Sequence, residues 1–73
     1  MREYNVRLSI SADQMLAYYQ GVAEQVIARD EQGVRVSFPA QALRPFVTHE
    51  GVHGCFCIRV DANNRLLGLR KLP

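Results

Sequence analysis

Residues 2–10, R-E-Y-N-V-R-L-S-I, alternate between polar and apolar without a break. Tyr4, Val6, Leu8 and Ile10 take one side; Glu3, Asn5, Arg7 and Ser9 take the other. That is the period of a strand with one dry and one wet face. Such a strand is not stable alone, because its dry face needs a second layer and its edges need partners. With 73 residues the chain has to supply both from short segments of its own. A chain of this length buries only about 60% of the surface its unfolded form exposes. Hydrophobic residues make up 48% of it and Trp is absent, so the core is built from Val, Leu, Ile and Phe. One small core is within reach; a deep substrate cavity, typically about 300 Å³ or more, is not expected beside it. Residues 1–73 therefore read as a single small α+β domain.

The segments that follow carry clear punctuation. Ser11 and Gln14 have the spacing of a capping box, which opens a helix, and Asp13 falls in its first turn. Ala12, Met15, Leu16 and Tyr19 recur at helical spacing and predict the buried stripe. Gly21 supplies a left-handed stop. Residues 22–38 predict a hairpin around Asp30-Glu31-Gln32-Gly33, with Gly33 in the left-handed position. That turn sets Ala28 opposite Val36, Val26 opposite Phe38, and Arg29 opposite Arg35. Two like charges facing each other are unfavourable, and the pair calls for an anion between them. Pro39 opens a short helical turn, P-A-Q-A-L, and Pro45 closes it. Residues 48–54 hold two glycines and predict a loop. Asp61-Ala62-Asn63-Asn64 repeats the first hairpin turn, with Asn64 tolerating the left-handed position. Simple alternation then pairs Val60 with Leu66, Ile58 with Gly68, Cys57 with Leu69 and Arg59 with Leu67. The order is β-α-β-β-(short helical turn)-β-β: five mostly antiparallel strands as a small barrel or strongly twisted sheet, with one covering helix. An open two-layer sheet is the alternative.

Within residues 43–58, L-R-P-F-V-T-H-E-G-V-H-G-C-F-C-I, lies H-E-G-V-H, which matches the H-E-x-x-H pattern of zinc peptidases. That chemistry needs a helix, so that both His share one face and the Glu activates a metal-bound water. Gly51, Gly54 and the β-branched Val47, Thr48 and Val52 oppose a helix here. No His or Glu follows His53 to act as third ligand. A structural zinc site through His49, His53, Cys55 and Cys57 has the right donors, but H-x3-H-x-C-x-C is not a zinc-finger spacing. Cys55 and Cys57 point the same way along one strand, so a disulfide between them would be strained. Reduced thiols and a cytoplasmic location follow. No Gly-rich phosphate loop, nucleophile elbow or acid/base pair is present. The sequence assigns no catalytic residue, no metal and no cofactor.

L-R-P-F-V-T-H-E-G-V-H-G, together with A-Y-Y-Q-G at residues 17–21 and V-S-F-P-A at 36–40, resembles a short bacterial single-domain family of unknown function, of the domain of unknown function 2835 type. The resemblance spans nearly the whole chain. It implies a cytoplasmic protein without an assigned activity. Some members carry a label relating them to DNA topoisomerase I, which implies a link to nucleic acid and DNA topology. The residues here include neither a tyrosine nucleophile setting nor an acidic cluster for magnesium.

Composition bounds the partners. Net charge is only +2, yet the nine basic residues are eight Arg and one Lys. Arg makes bidentate contacts with carboxylates and phosphates and stacks on flat rings. No apolar run reaches the roughly 20 residues of a membrane span. The first reading is a non-catalytic binding or adaptor module acting through a protein partner or self-association, with Tyr18, Cys57, Leu67 and Leu69 as the partner surface. The alternative is a small nucleic-acid-binding domain for single-stranded DNA or RNA. Arg7, Arg29, Arg35 and Arg44 would then contact anions, and Tyr18, Tyr19 or Phe46 would offer rings. A small zinc protein through the His and Cys residues is the third.

Overall fold

A computed structural model of the chain describes residues 1–21 and 24–73. Five strands form: β1 (Arg2–Ile10), β2 (Gln25–Arg29), β3 (Arg35–Pro39), β4 (Val52–Val60) and β5 (Leu66–Lys71). Helix α1 (Ala12–Tyr19) follows β1, and a 3-10 helix (Ala40–Phe46) joins β3 to β4. The fold is α+β, with all strand pairs antiparallel. Among the described residues the strands divide into two sheets, β1-β4-β5 and β2-β3, and form no closed barrel. Expectation and structure differ there; the expected short helical turn appears as the 3-10 helix. An isolated antiparallel bridge, Val6 to Asp30, links β1 to the β2-β3 hairpin.

β1 behaves as its alternation dictates. Val6 and Leu8 are buried and the residues between them are exposed. It pairs with β4 along its length, Val6 opposite Phe56 and Ile10 opposite Val52. The first hairpin has the register its turn requires: Val26 opposite Phe38, Ala28 opposite Val36, Arg29 opposite Arg35. Asp30 organises the turn. Its carboxylate accepts from the backbone N–H groups of Gln32 (2.9 Å) and Val34 (2.7 Å), and Gly33 takes φ +84°. Residues 22–23 of the expected hairpin lie outside the described residues.

The second hairpin departs from simple alternation. Val60 opposes Leu66, but a bulge then leaves Leu67 without a partner, so Arg59 opposes Gly68, Ile58 opposes Leu69 and Cys57 opposes Arg70. Unbulged pairing would have put Gly68 beside buried Ile58 and turned Leu69 to the wet face. The extra residue returns Leu69 to the core, where it packs against the central cluster.

Helix α1 carries both halves of the capping box: Gln14 N–H donates to Ser11 Oγ at 3.2 Å, and Ser11 N–H donates to Gln14 Oε1 at 2.9 Å. Its buried stripe is narrower than predicted. Met15 is buried and Tyr18 packs partly against the core, while Ala12, Leu16 and Tyr19 are exposed. Eight residues present only about two turns to the sheets, so one turn-spaced pair reaches the core. The 3-10 helix runs through Pro45 rather than ending before it. Its Leu43 is fully buried, and Phe46 meets Phe56 edge-on, with ring centroids 5.2 Å apart.

The predicted 48–54 loop is shorter than expected. Thr48 and Gly51 exchange backbone hydrogen bonds of 2.9 Å each way, closing a tight turn, and β4 begins at Val52. Gly51 sits at φ +102°, against the backbone of Ile10, Ser11 and Ala12. The turn thereby docks on the β1–α1 junction.

Candidate anion-contacting face

The H-E-G-V-H residues hold this turn together. Thr48 Oγ1 donates to the Gly51 carbonyl (3.1 Å) and accepts from the Glu50 N–H (3.2 Å). His53 lies in β4, with Nε2 donating to the Glu50 carbonyl at 2.8 Å. A carbonyl only accepts, so Nε2 carries the proton and Nδ1 accepts from Ser9 Oγ at 3.2 Å. His49 projects into solvent, 3.9 Å from Glu50. Among the described residues no three His, Cys, Asp or Glu side chains gather as a cation site. His49, His53, Cys55 and Cys57 are thus not brought together.

On the wet side, pairing brings three arginines near one another. Arg7 and Arg29 each stand one residue from the isolated Val6–Asp30 bridge, which brings β1 beside the end of β2. The hairpin sets Arg29 opposite Arg35. All three are exposed. A shallow hollow of about 190 Å³ lies between Glu3 and Asn5 of β1 and the turn residues Asp30, Glu31 and Gln32. Among the described residues the ion pairs are Arg59–Glu3 at 4.0 Å and His49–Glu50, and none of the three takes part. Arg29 Nη1 donates to the Gly33 carbonyl at 3.1 Å, which holds its guanidinium toward the turn. Its remaining N–H groups stay free for an anion.

Arg44 stands elsewhere. It lines a cleft of about 430 Å³ between the end of α1 and the start of the 3-10 helix, together with Met15, Tyr18, Tyr19, Gln25 and Gln41. A deep cavity was not expected in so short a chain, and this one is an open cleft at the surface. It forms where the end of α1, the start of the 3-10 helix and the open end of the hairpin line one hollow, a tertiary placement without a local signal. Gln41 and Gln25 went unmarked for the same reason.

The four residues of the expected partner surface do not share a face. Leu69 and Tyr18 pack against the core, Leu67 is exposed at the bulge, and Cys57 lies on the wet side of β4 yet is only 3% exposed. Cys57 Sγ donates to Glu3 Oε2 at 3.3 Å. Burial, and then this hydrogen bond, push its thiol above the ordinary value. Cys55, level with Arg7, is exposed. Of the rings weighed for stacking, Phe46 is committed to Phe56, while Tyr19 is half exposed at the cleft. Arg59 and Arg70 share the wet side of β4 and β5; only the bulge reveals Arg70's place there.

No described helix is long and apolar enough to cross a membrane. A family model described as Protein of unknown function (DUF2835) matches residues 2–72. Comparison with curated proteins and with solved structures found no match.

Proposed function

The chain belongs to the DUF2835 family of proteins of unknown function, and from its own surface we infer a non-catalytic binding module that engages an anionic partner through Arg7, Arg29 and Arg35. The observation that carries this reading is Arg29 facing Arg35, with Arg7 beside the bridge that joins β1 to this hairpin, all exposed and with no acidic partner among the described residues. Like charges set side by side on a sheet are destabilising in isolation. A row that costs stability and has no internal counterion is suited to an external one. Each guanidinium offers a planar fork of donors that matches phosphate or carboxylate oxygens. Glu3 and Glu31 flank the row on one side and confine the contact to a strip. We place the protein in the cytoplasm, where the two free thiols stay reduced.

The test is an anisotropy titration with labelled oligothymidylate across a salt series. Three phosphate contacts on a single strand predict a slope of log affinity against log salt near about −2. Arg7→Ala/Arg29→Ala/Arg35→Ala should remove binding. Undiminished binding in the triple variant would refute the reading.

A further inference from the structure

We propose that the partner is single-stranded nucleic acid, with its phosphates on the Arg7–Arg29–Arg35 row and one base in the cleft beside Tyr19 and Arg44. This rests on the preceding reading and extends it to a second site. The two sites lie along one surface. In β2 and β3 every second residue is exposed, so the outer face of the hairpin runs from Arg29 and Arg35, past Ile27 and Ser37, to Gln25 and Pro39. Gln25 and Pro39 line the cleft. Four residues of strand separate the row from the cleft, about 13 Å. A flexible polyanion on the row reaches the cleft without crossing a buried segment. Midway, Ile27 is 55% exposed and Ser37 Oγ donates to Gln25 Oε1 at 3.2 Å, so the path is apolar and hydroxyl-bearing and carries no acid.

The lining of the cleft favours a nucleobase over an acidic peptide. Its volume, about 430 Å³, lies within the range of small-molecule sites. The rings of Tyr18 and Tyr19 offer flat apolar surface, and Arg44 offers a cation that stacks on a ring face. The amides of Gln25 and Gln41 and the carboxylate of Glu24 supply donors and acceptors for a base edge. An extended acidic segment would satisfy the arginines but has no flat group for this slot. A stiff duplex keeps its bases stacked and has none to offer either.

The experiment compares labelled oligothymidylate with heparin, a polyanion without bases, on the intact protein. The chain has no Trp, and two of its three Tyr, Tyr18 and Tyr19, line the cleft, so a change in tyrosine emission reports there. Oligothymidylate should quench that emission and heparin should not. Tyr19→Ala and Gln41→Ala, both at exposed positions, should lower oligothymidylate affinity relative to heparin by about tenfold, the scale of one stacked base. The arginine triple variant should lose both ligands. Equal quenching by both ligands, or no change in their ratio in Tyr19→Ala, overturns the base site while the arginine row stands. Heparin binding without oligothymidylate binding also overturns it, and leaves an acidic protein segment as the partner. Retention of both ligands by the arginine variant overturns the parent reading instead.

Discussion

At the scale of single residues, Gly51 and Cys57 each do something their type alone does not announce. A Cβ on Gly51 would meet the Ile10 carbonyl oxygen and the backbone of Ser11 and Ala12, at a φ that L side chains rarely adopt. Gly51→Ala should therefore cost at least about 3 kcal/mol, read as a fall in the urea midpoint. A glycine inside H-E-G-V-H reads from sequence as evidence against a helix, and that much was legible. That it serves as the seat of a turn against the β1–α1 junction was not, because its partners lie some 40 residues away in the chain. Cys57 reads as a small strand residue. Its burial on the wet side depends on Glu3 and Arg70, one on each neighbouring strand. Native protein should react with a thiol reagent at Cys55, and at Cys57 only on unfolding, as mass spectrometry of the labelled chain would record. Because the Cys57 thiol is pushed above its ordinary value of 9.0, the stability it contributes is present below that value. It is lost as pH rises through the higher folded-state value. Urea unfolding should show stability declining in that alkaline window, and Cys57→Ala should flatten the decline.

At the scale of elements, local chemistry settles most of the outcome. The capping box at Ser11 and Gln14 and the first hairpin, down to Arg29 opposite Arg35, form as their residues dictate, because each depends on atoms a few positions apart. Where the reading falls short, a distant surface decides. The bulge at Leu67 exists because Leu69 gains more by facing the core than by keeping register, and which face is core is a property of the whole sheet. The stripe of α1 narrows to Met15 and Tyr18 because a short helix reaches the sheets along only one line. The facing arginines yield a prediction in which stability and binding move in opposite directions. Arg35→Glu should stabilise the hairpin by about 0.5 kcal/mol through a cross-strand ion pair with Arg29. The same change should weaken polyanion binding at least as much as Arg35→Ala does. A loss of stability in thermal unfolding would show that the arginines are not strained by each other.

At the scale of the whole molecule, one core is shared by the two sheets that the Val6–Asp30 bridge links. Val6, Phe56 and Ile58 of one sheet and Val26, Val36 and Phe38 of the other belong to the same buried cluster. That bridge also fixes the candidate site. Arg7 was recognisable as a wet-face cation from its own strand, and Arg29 and Arg35 from theirs. Their joining into one row depends on Val6 meeting Asp30, a contact between segments that no local signal relates. The cleft has the same origin, in the end of α1, the start of the 3-10 helix and the open end of the hairpin lining one hollow.

The location of the binding surface is tested by an amide chemical-shift map of labelled protein titrated with oligothymidylate at low salt. Shifts should begin at Arg7, Arg29 and Arg35, continue through Ile27 and Ser37, and reach Gln25, Gln41 and Tyr19. They should leave the β4–β5 turn at residues 61–65 and the bulge at Leu67 unmoved. Shifts centred on that turn and bulge, with the arginine row silent, would contradict it.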